Sequence, residues 1–115
     1  MQFVFVELPP FARRRRSYMS DGQFLVLQKL LLLNPELGVL IQGTGGLRKL
    51  SFPDTKRQQG KRGGVRLIYY WWKPGHQVWL FTIYRKGEVR DLTVKEKTTL
   101  RELLQRELIE RRKNP

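Results

Sequence analysis

Three cations of this 115-residue chain stand in or beside apolar runs: Lys49 within Leu47–Phe52, Arg66 at the head of Val65–Trp72, and Lys86 at the foot of Val78–Lys86. Together they suit a reaction that needs neither metal nor histidine. RNA carries its own nucleophile, the ribose 2′-OH. In-line attack of that hydroxyl on the adjacent phosphate requires removal of a proton, stabilisation of charge on the phosphorane oxygens, and a proton for the leaving 5′ oxygen. Arginine offers a planar fork to two phosphate oxygens at once. A lysine beside other cations gives up its proton more readily, since a nearby like charge disfavours the charged form. Lys49 or Lys86 is therefore a candidate for proton exchange near neutral pH, with Tyr70 and Tyr84 as further donors. The plainer reading is three independent solvated cations at strand ends. Strand pairing decides between the two.

Other chemistries find little footing. Cysteine is absent and the sole histidine, His76, falls in a turn. A thiolate nucleophile and a Cys-based zinc site are excluded, and a His-based metal site is disfavoured. No metal ligand and no cofactor is assigned. There is no Gly-x-Ser-x-Gly elbow and no P-loop signature. Gly43-Thr44-Gly45-Gly46 superficially resembles a phosphate cradle. It leads into a strand, however, and lacks the helix N-terminus that such cradles use, so it reads as a turn.

The charge balance points to a polyanionic partner. Lys and Arg number 23 against 10 Asp and Glu, a formal net charge of +13, large for one small domain. The cations are interleaved with aromatics in strand-like runs rather than lining an amphipathic helix, which favours nucleic acid over a membrane surface. Most of Tyr69, Tyr70, Trp71, Trp72 and Trp79 should be core, with one or two, such as Tyr70 or Trp72, left to stack on bases. Gln28 and Lys29 interrupt the longest apolar stretch before it reaches membrane-spanning length. The start, MQFVFVELPP, has no basic region and meets Glu7 at once. The expectation is one soluble, cytoplasmic domain spanning residues 1–115.

Around these residues the scaffold reads as strand, helices, three strands, helix. Phe3–Glu7 is a short strand that Pro9-Pro10 ends. Phe11–Tyr18, with its run Arg13-Arg14-Arg15-Arg16, makes a helical turn or two, read either as a solvated face or as a nucleic-acid clamp. Ser20 and Gln23 form a capping box before a helix to about Leu33, whose apolar face carries Phe24, Leu27, Leu30 and Leu31. Asn34-Pro35 stops it, and residues 36–44 are a loop. Alternation puts Leu50 and Phe52 opposite Lys49 and Ser51. It also puts Val65, Leu67, Tyr69 and Trp71 opposite Arg66, Ile68, Tyr70 and Trp72. In the third strand Leu80, Thr82, Tyr84 and Lys86 oppose Trp79, Phe81 and Ile83. The loop from Pro53 to Gly64 carries Lys56, Arg57, Lys61 and Arg62 and reads as mobile and exposed, suited to gripping a polyanion. Thr93 and Glu96 form a second capping box, opening a helix with Leu100, Leu103, Leu104 and Leu108 on its apolar stripe. The pattern predicts an α+β two-layer domain whose three central strands form an antiparallel meander.

The ordered set GTGGLRKL, GKRGGVRLIYYW and TIYRKGEVRDLT, with YMSDGQFLVLQKLLLLNPELGVLIQGTGG upstream, resembles the HigB-type branch of the RelE/ParE superfamily of bacterial toxins over nearly the whole chain. The resemblance implies a RelE-like fold, a mostly antiparallel four-stranded sheet packed by N-terminal helices and a C-terminal helix. It implies a metal-independent, ribosome-dependent endoribonuclease that leaves a 2′,3′-cyclic phosphate on cleaved mRNA. Its implied partners are the ribosome and mRNA and a cognate antitoxin, typically a helix-turn-helix protein similar to HigA. Operator DNA is bound only through the joint complex. The family's basic positions fall on Lys49, Arg66 and Lys86. Two positions depart from the pattern. Ser51 replaces a second cation, which shifts charge stabilisation to Arg48 or to Lys61 and Arg62. Gly87 replaces the asparagine of a common Lys-Asn-Glu. The superfamily also contains toxins that poison DNA gyrase without cutting RNA, and a simple nucleic-acid-binding module is a third reading.

Overall fold

The computed structural model describes residues 4–54, 64–88 and 92–113. A central sheet of five strands has the order β1-β5-β4-β3-β2. β1 (Val4–Glu7) lies parallel to β5 (Gln77–Arg85). β2 (Val39–Leu40), β3 (Arg48–Phe52), β4 (Val65–Trp72) and β5 pair antiparallel, each with the next. The fifth strand, β2, falls inside the segment expected to be only a loop. Two residues are too short to show a period in sequence, and Val39 and Leu40 pair with Lys49 and Arg48 because the return from α2 passes beside β3.

Helix α1 (Pro9–Tyr18) begins at the two prolines rather than after them. Proline fits the first helical turn, where its missing N–H has no intrahelical partner to lose. Within the arginine run Arg15 is buried: its guanidinium lies 4.8 Å from the Phe24 ring centre and Nη1 donates to Asp21 Oδ1 at 2.7 Å. Arg15 holds the Asp21 carboxyl below its ordinary value. Arg13, Arg14 and Arg16 are exposed. α2 (Asp21–Leu33) starts at the expected cap, with Ser20 Oγ accepting from Gln23 N at 3.2 Å. Phe24, Leu27 and Leu31 are buried, whereas Leu30 is 38% exposed.

Helices cover both faces of the sheet, so the domain has three layers rather than two. Phe11, Tyr18, Phe24, Leu27 and Leu31 of α1 and α2 pack on Leu50, Phe52, Val65, Leu67, Tyr69, Val78, Leu80 and Ile83. On the opposite face Leu104 of α3 (Val94–Lys113), with Leu100 and Leu108, packs on Ile68, Trp79, Phe81 and Tyr84. Leu103 points away and is 38% exposed. Among the described residues no helix is long and apolar enough to cross a membrane.

One irregularity decides what lies beneath α3. The β4–β5 register runs Ile68↔Thr82 and then Tyr69↔Leu80, leaving Phe81 as an extra residue. Such a bulge reverses the alternation beyond it. Trp79 and Phe81 therefore join Thr82 and Tyr84 under α3, while Leu80 turns to the α1–α2 side, against the strict alternation read from sequence.

The second capping box forms as expected: Thr93 N donates to Glu96 Oε1 at 2.9 Å and Glu96 N donates to Thr93 Oγ1 at 3.1 Å. These contacts hold the Glu96 carboxyl below its ordinary value of 4.5. The carboxylate's contribution is thus present above the unfolded value and lost as pH falls through the lower folded value. Thr93→Ala should cost about 1 kcal/mol at neutral pH, and that difference should shrink in acid. Urea denaturation at neutral and acid pH checks it; a constant difference would show that the charge of Glu96 adds nothing.

Candidate functional site

Strand register places the predicted cations on one face but not in one knot. Ser51, Arg66 and Tyr84 stand side by side across β3, β4 and β5. The next row is Lys49, Ile68 and Thr82. On the other side Lys86 N donates to Gly64 O at 3.0 Å. Directly opposed residues are about 5 Å apart and each two-residue step along a strand adds roughly 7 Å. Arg66 is therefore central, with Lys49 and Lys86 on opposite diagonals, each about 8 Å away at Cα and roughly 16 Å from each other. Both long side chains can reach a phosphate seated over Arg66, though not one another. All three lie on the face that α3 partly covers.

Arg66 is half-buried and its Nη1 donates to Val65 O at 3.3 Å. Tyr84 is 6% exposed, with its ring in the α3-side core beside Arg66. Ser51 stands directly opposite Arg66. Lys86 is exposed on a turn completed by Gly87, whose φ of +108° favours glycine over an asparagine side chain.

A brace unseen in the sequence fixes this end of the sheet. The Asp54 carboxylate, fully buried, accepts from Arg85 Nε at 2.7 Å, and Arg85 Nη2 donates to Ser17 O at 3.0 Å. The same guanidinium lies 4.5 Å from the Tyr18 ring centre. Tyr18 Oη donates to Glu88 Oε2 at 2.9 Å, and Glu88 Oε1 accepts Arg85 N at 2.8 Å. Burial, then Glu88, raises the Tyr18 hydroxyl above its ordinary value and keeps it protonated. Arg85-Lys86 thus grips both Asp54 and Gly64, the two residues that flank the basic loop. Asp54, expected to belong to that exposed loop, is part of the folded body. Lys56, Arg57, Lys61 and Arg62 lie outside the described residues. The only sequence signal for the brace is a carboxylate, Asp54, ending an apolar strand.

Two expected contacts lie elsewhere. Arg48 faces the α1–α2 side, away from Arg66. Its Nη1 donates to Gly38 O at 2.8 Å and Glu36 O at 3.1 Å, with the Glu36 carboxylate 3.8 Å from Nη2. It braces the α2–β2 return together with Tyr69, whose hydroxyl accepts from Gly38 N and donates to Pro35 O, both at 2.8 Å. Arg48 thus stands on the face opposite to Ser51 and Arg66. Tyr70 does share Arg66's face, yet it lies four residues along β4. It packs on Trp79, ring centres 5.3 Å apart, with Gly46 against its edge. Gly46 has φ +126°, and the buried Thr44 hydroxyl donates to Ile41 O at 2.7 Å and accepts from Leu47 N at 3.2 Å. The glycine-rich stretch is a turn, as its sequence suggested. Among the described residues no cluster of three metal-ligating side chains occurs.

No family model matches the chain. Among solved structures, the free state of a double arginine-to-alanine mutant of the E. coli toxin RelE superposes with a TM-score of 0.58 over 88% of this chain and 98% of that one, at 14% identity. The fold is that of RelE. At this identity the likeness carries the fold and not the activity. The RelE-like frame accounts for the α1–α2 pair on one face and the sheet that presents Arg66 on the other.

Proposed function

We propose that this chain is the toxin of a type II toxin–antitoxin pair, of the HigB-type branch, that cleaves mRNA on the ribosome by attack of the 2′-OH. The observation that carries the reading is the Ser51–Arg66–Tyr84 row, with Lys49 and Lys86 on either diagonal, on a RelE-like sheet. Arg66 holds the phosphorane oxygens. Lys86 adds charge from one side, and Lys49 or the neighbouring Tyr84 exchanges the proton. The neutral Ser51 beside Arg66 makes the charge stabilisation weaker than in a site with a second cation there. The loop cations Lys56, Arg57, Lys61 and Arg62 complete the grip on ribosomal or messenger phosphates.

An antitoxin segment, apolar with acidic flanks, suits the groove of about 650 Å³ lined by Val26, Leu30, Leu37 and Val39 of the α2–β2 region and by Lys49 and Leu50 of β3. Val39 is 72% exposed there, and the +13 charge favours an acidic partner, with association slowed by salt.

Induction of the gene followed by mapping of mRNA 5′ ends tests the activity. New ends in phase with codons, accompanied by growth arrest, are expected. Arrest with intact messages would move the assignment to a toxin that acts on a protein target such as gyrase.

A further inference from the structure

The turn that carries Lys86 is anchored from a helix on the far side of the sheet. We propose that Tyr18 and Glu88 are positioning residues for Lys86: neither touches the RNA, and together they fix where the ammonium stands beside Arg66. The inference rests on the RNA-cleaving reading of the chain and adds to it a link between α1 and the chemistry.

The Lys86 side chain is exposed, and among the described residues it makes no hydrogen bond or ion pair. Its place is therefore set by the backbone. That backbone is a β-turn: Glu88 N donates to Arg85 O at 3.0 Å, and Gly87 takes the third position at φ +108°, where a type II turn needs a positive φ. Glycine supplies that φ without strain, and for the same reason leaves the turn free to sample other shapes. Contacts from outside must hold it. On the side of β4, Lys86 N donates to Gly64 O at 3.0 Å. The other hold is the Glu88 carboxylate. Its Oε1 accepts from Arg85 N at 2.8 Å, closing the turn on itself, and its Oε2 accepts from Tyr18 Oη at 2.9 Å. Tyr18 is a firm anchor. It is the last residue of α1, it is buried in the α1–α2 core, and the Arg85 guanidinium lies 4.5 Å from its ring centre. The latch thus joins a rigid helix in one layer to the turn that aims Lys86 at the opposite face.

Tyr18→Phe tests the latch with little effect on folding, because the ring stays in the core and the exposed Glu88 carboxylate turns to water. The first readout is amide NMR relaxation of the free, full-length chain. Order should fall at the Lys86, Gly87 and Glu88 amides of Tyr18→Phe and stay unchanged along β4. An equally ordered turn overturns the proposal, whether or not the protein cuts RNA. A loosened turn in a protein whose wild type cleaves nothing keeps the latch and sinks the nuclease. The second readout is single-turnover cleavage of ribosome-bound mRNA. Tyr18→Phe and Glu88→Ala should each slow the rate about tenfold at saturating ribosomes, short of the ~10²-fold cost of a misplacement of about 1 Å, with half-saturation unchanged. Glu88→Gln should recover most of what Glu88→Ala loses, since its carbonyl accepts from Arg85 N while its amide donates to Tyr18 Oη. A residue that acts only through Lys86 loses its effect once Lys86 is gone. Tyr18→Phe should therefore change nothing further in a Lys86→Ala background, where Arg66 still supports a measurable rate. Wild-type rates in Tyr18→Phe, or a loss that adds to that of Lys86→Ala, overturn the assignment.

Discussion

Arg66→Ala should lower the single-turnover cleavage rate of ribosome-bound mRNA by about 10²–10³-fold, the usual cost of removing one preorganised donor to a developing oxyanion. The effect is large because Arg66 is central. Ser51 on one side is neutral, Tyr84 on the other is an aromatic wall, and the two lysines approach only diagonally. Among the described residues no neighbouring side chain can take over its fork. Arg66→Lys should recover little, because a point charge cannot contact two phosphate oxygens in fixed geometry. Growth arrest should disappear with Arg66→Ala while antitoxin binding persists, since the groove beside α2 is lined without Arg66. A folded Arg66→Ala protein that cleaves at the wild-type rate would remove Arg66 from the chemistry and shift the weight to a protein-targeting toxin.

Asp54→Ala should be the most damaging single change to stability among those considered. It removes the fully buried partner of Arg85, whose side chain is 20% exposed. Breaking a buried ion pair by removing one partner costs roughly 3–5 kcal/mol. The partial exposure of Arg85 and its bond to Ser17 O place this case near the lower end, about 3 kcal/mol. For a chain of this size that corresponds to a fall in melting temperature of roughly 10–20 °C. Asp54→Asn keeps an acceptor and should lose less. Because Arg85 also carries the neighbouring Lys86, Asp54→Asn should reduce cleavage more than its modest loss of stability explains. Urea midpoints with rates measured well below the transition separate the two effects. Wild-type stability for Asp54→Ala would show that the guanidinium is held by Ser17 and Tyr18 alone.

Much of this was legible in the chain because it is local. Ser20–Gln23 and Thr93–Glu96 start helices where they stand, since the cap and the amide it satisfies are three residues apart. Alternation in Leu47–Phe52 and Val65–Trp72 sorted Lys49, Ser51 and Arg66 from Leu50, Phe52 and Leu67, because the period of an extended strand is intrinsic to its backbone. The absence of cysteine and the excess of cations constrained the chemistry by residue type alone. What the tertiary structure decided is everything that depends on register and on distant partners. The bulge at Phe81 is invisible in a sequence that alternates cleanly, because it exists only relative to β4, and it moved Trp79 and Phe81 beneath α3. Arg48 and Lys49 are adjacent in sequence yet face opposite layers. The first is drawn to the carbonyls of Glu36 and Gly38 and the second stays near the proposed site. Asp54 and Arg85, thirty-one residues apart, meet only after three strands pair. The latch between Tyr18 and Glu88, seventy residues apart, needs both a helix and a sheet before it exists at all.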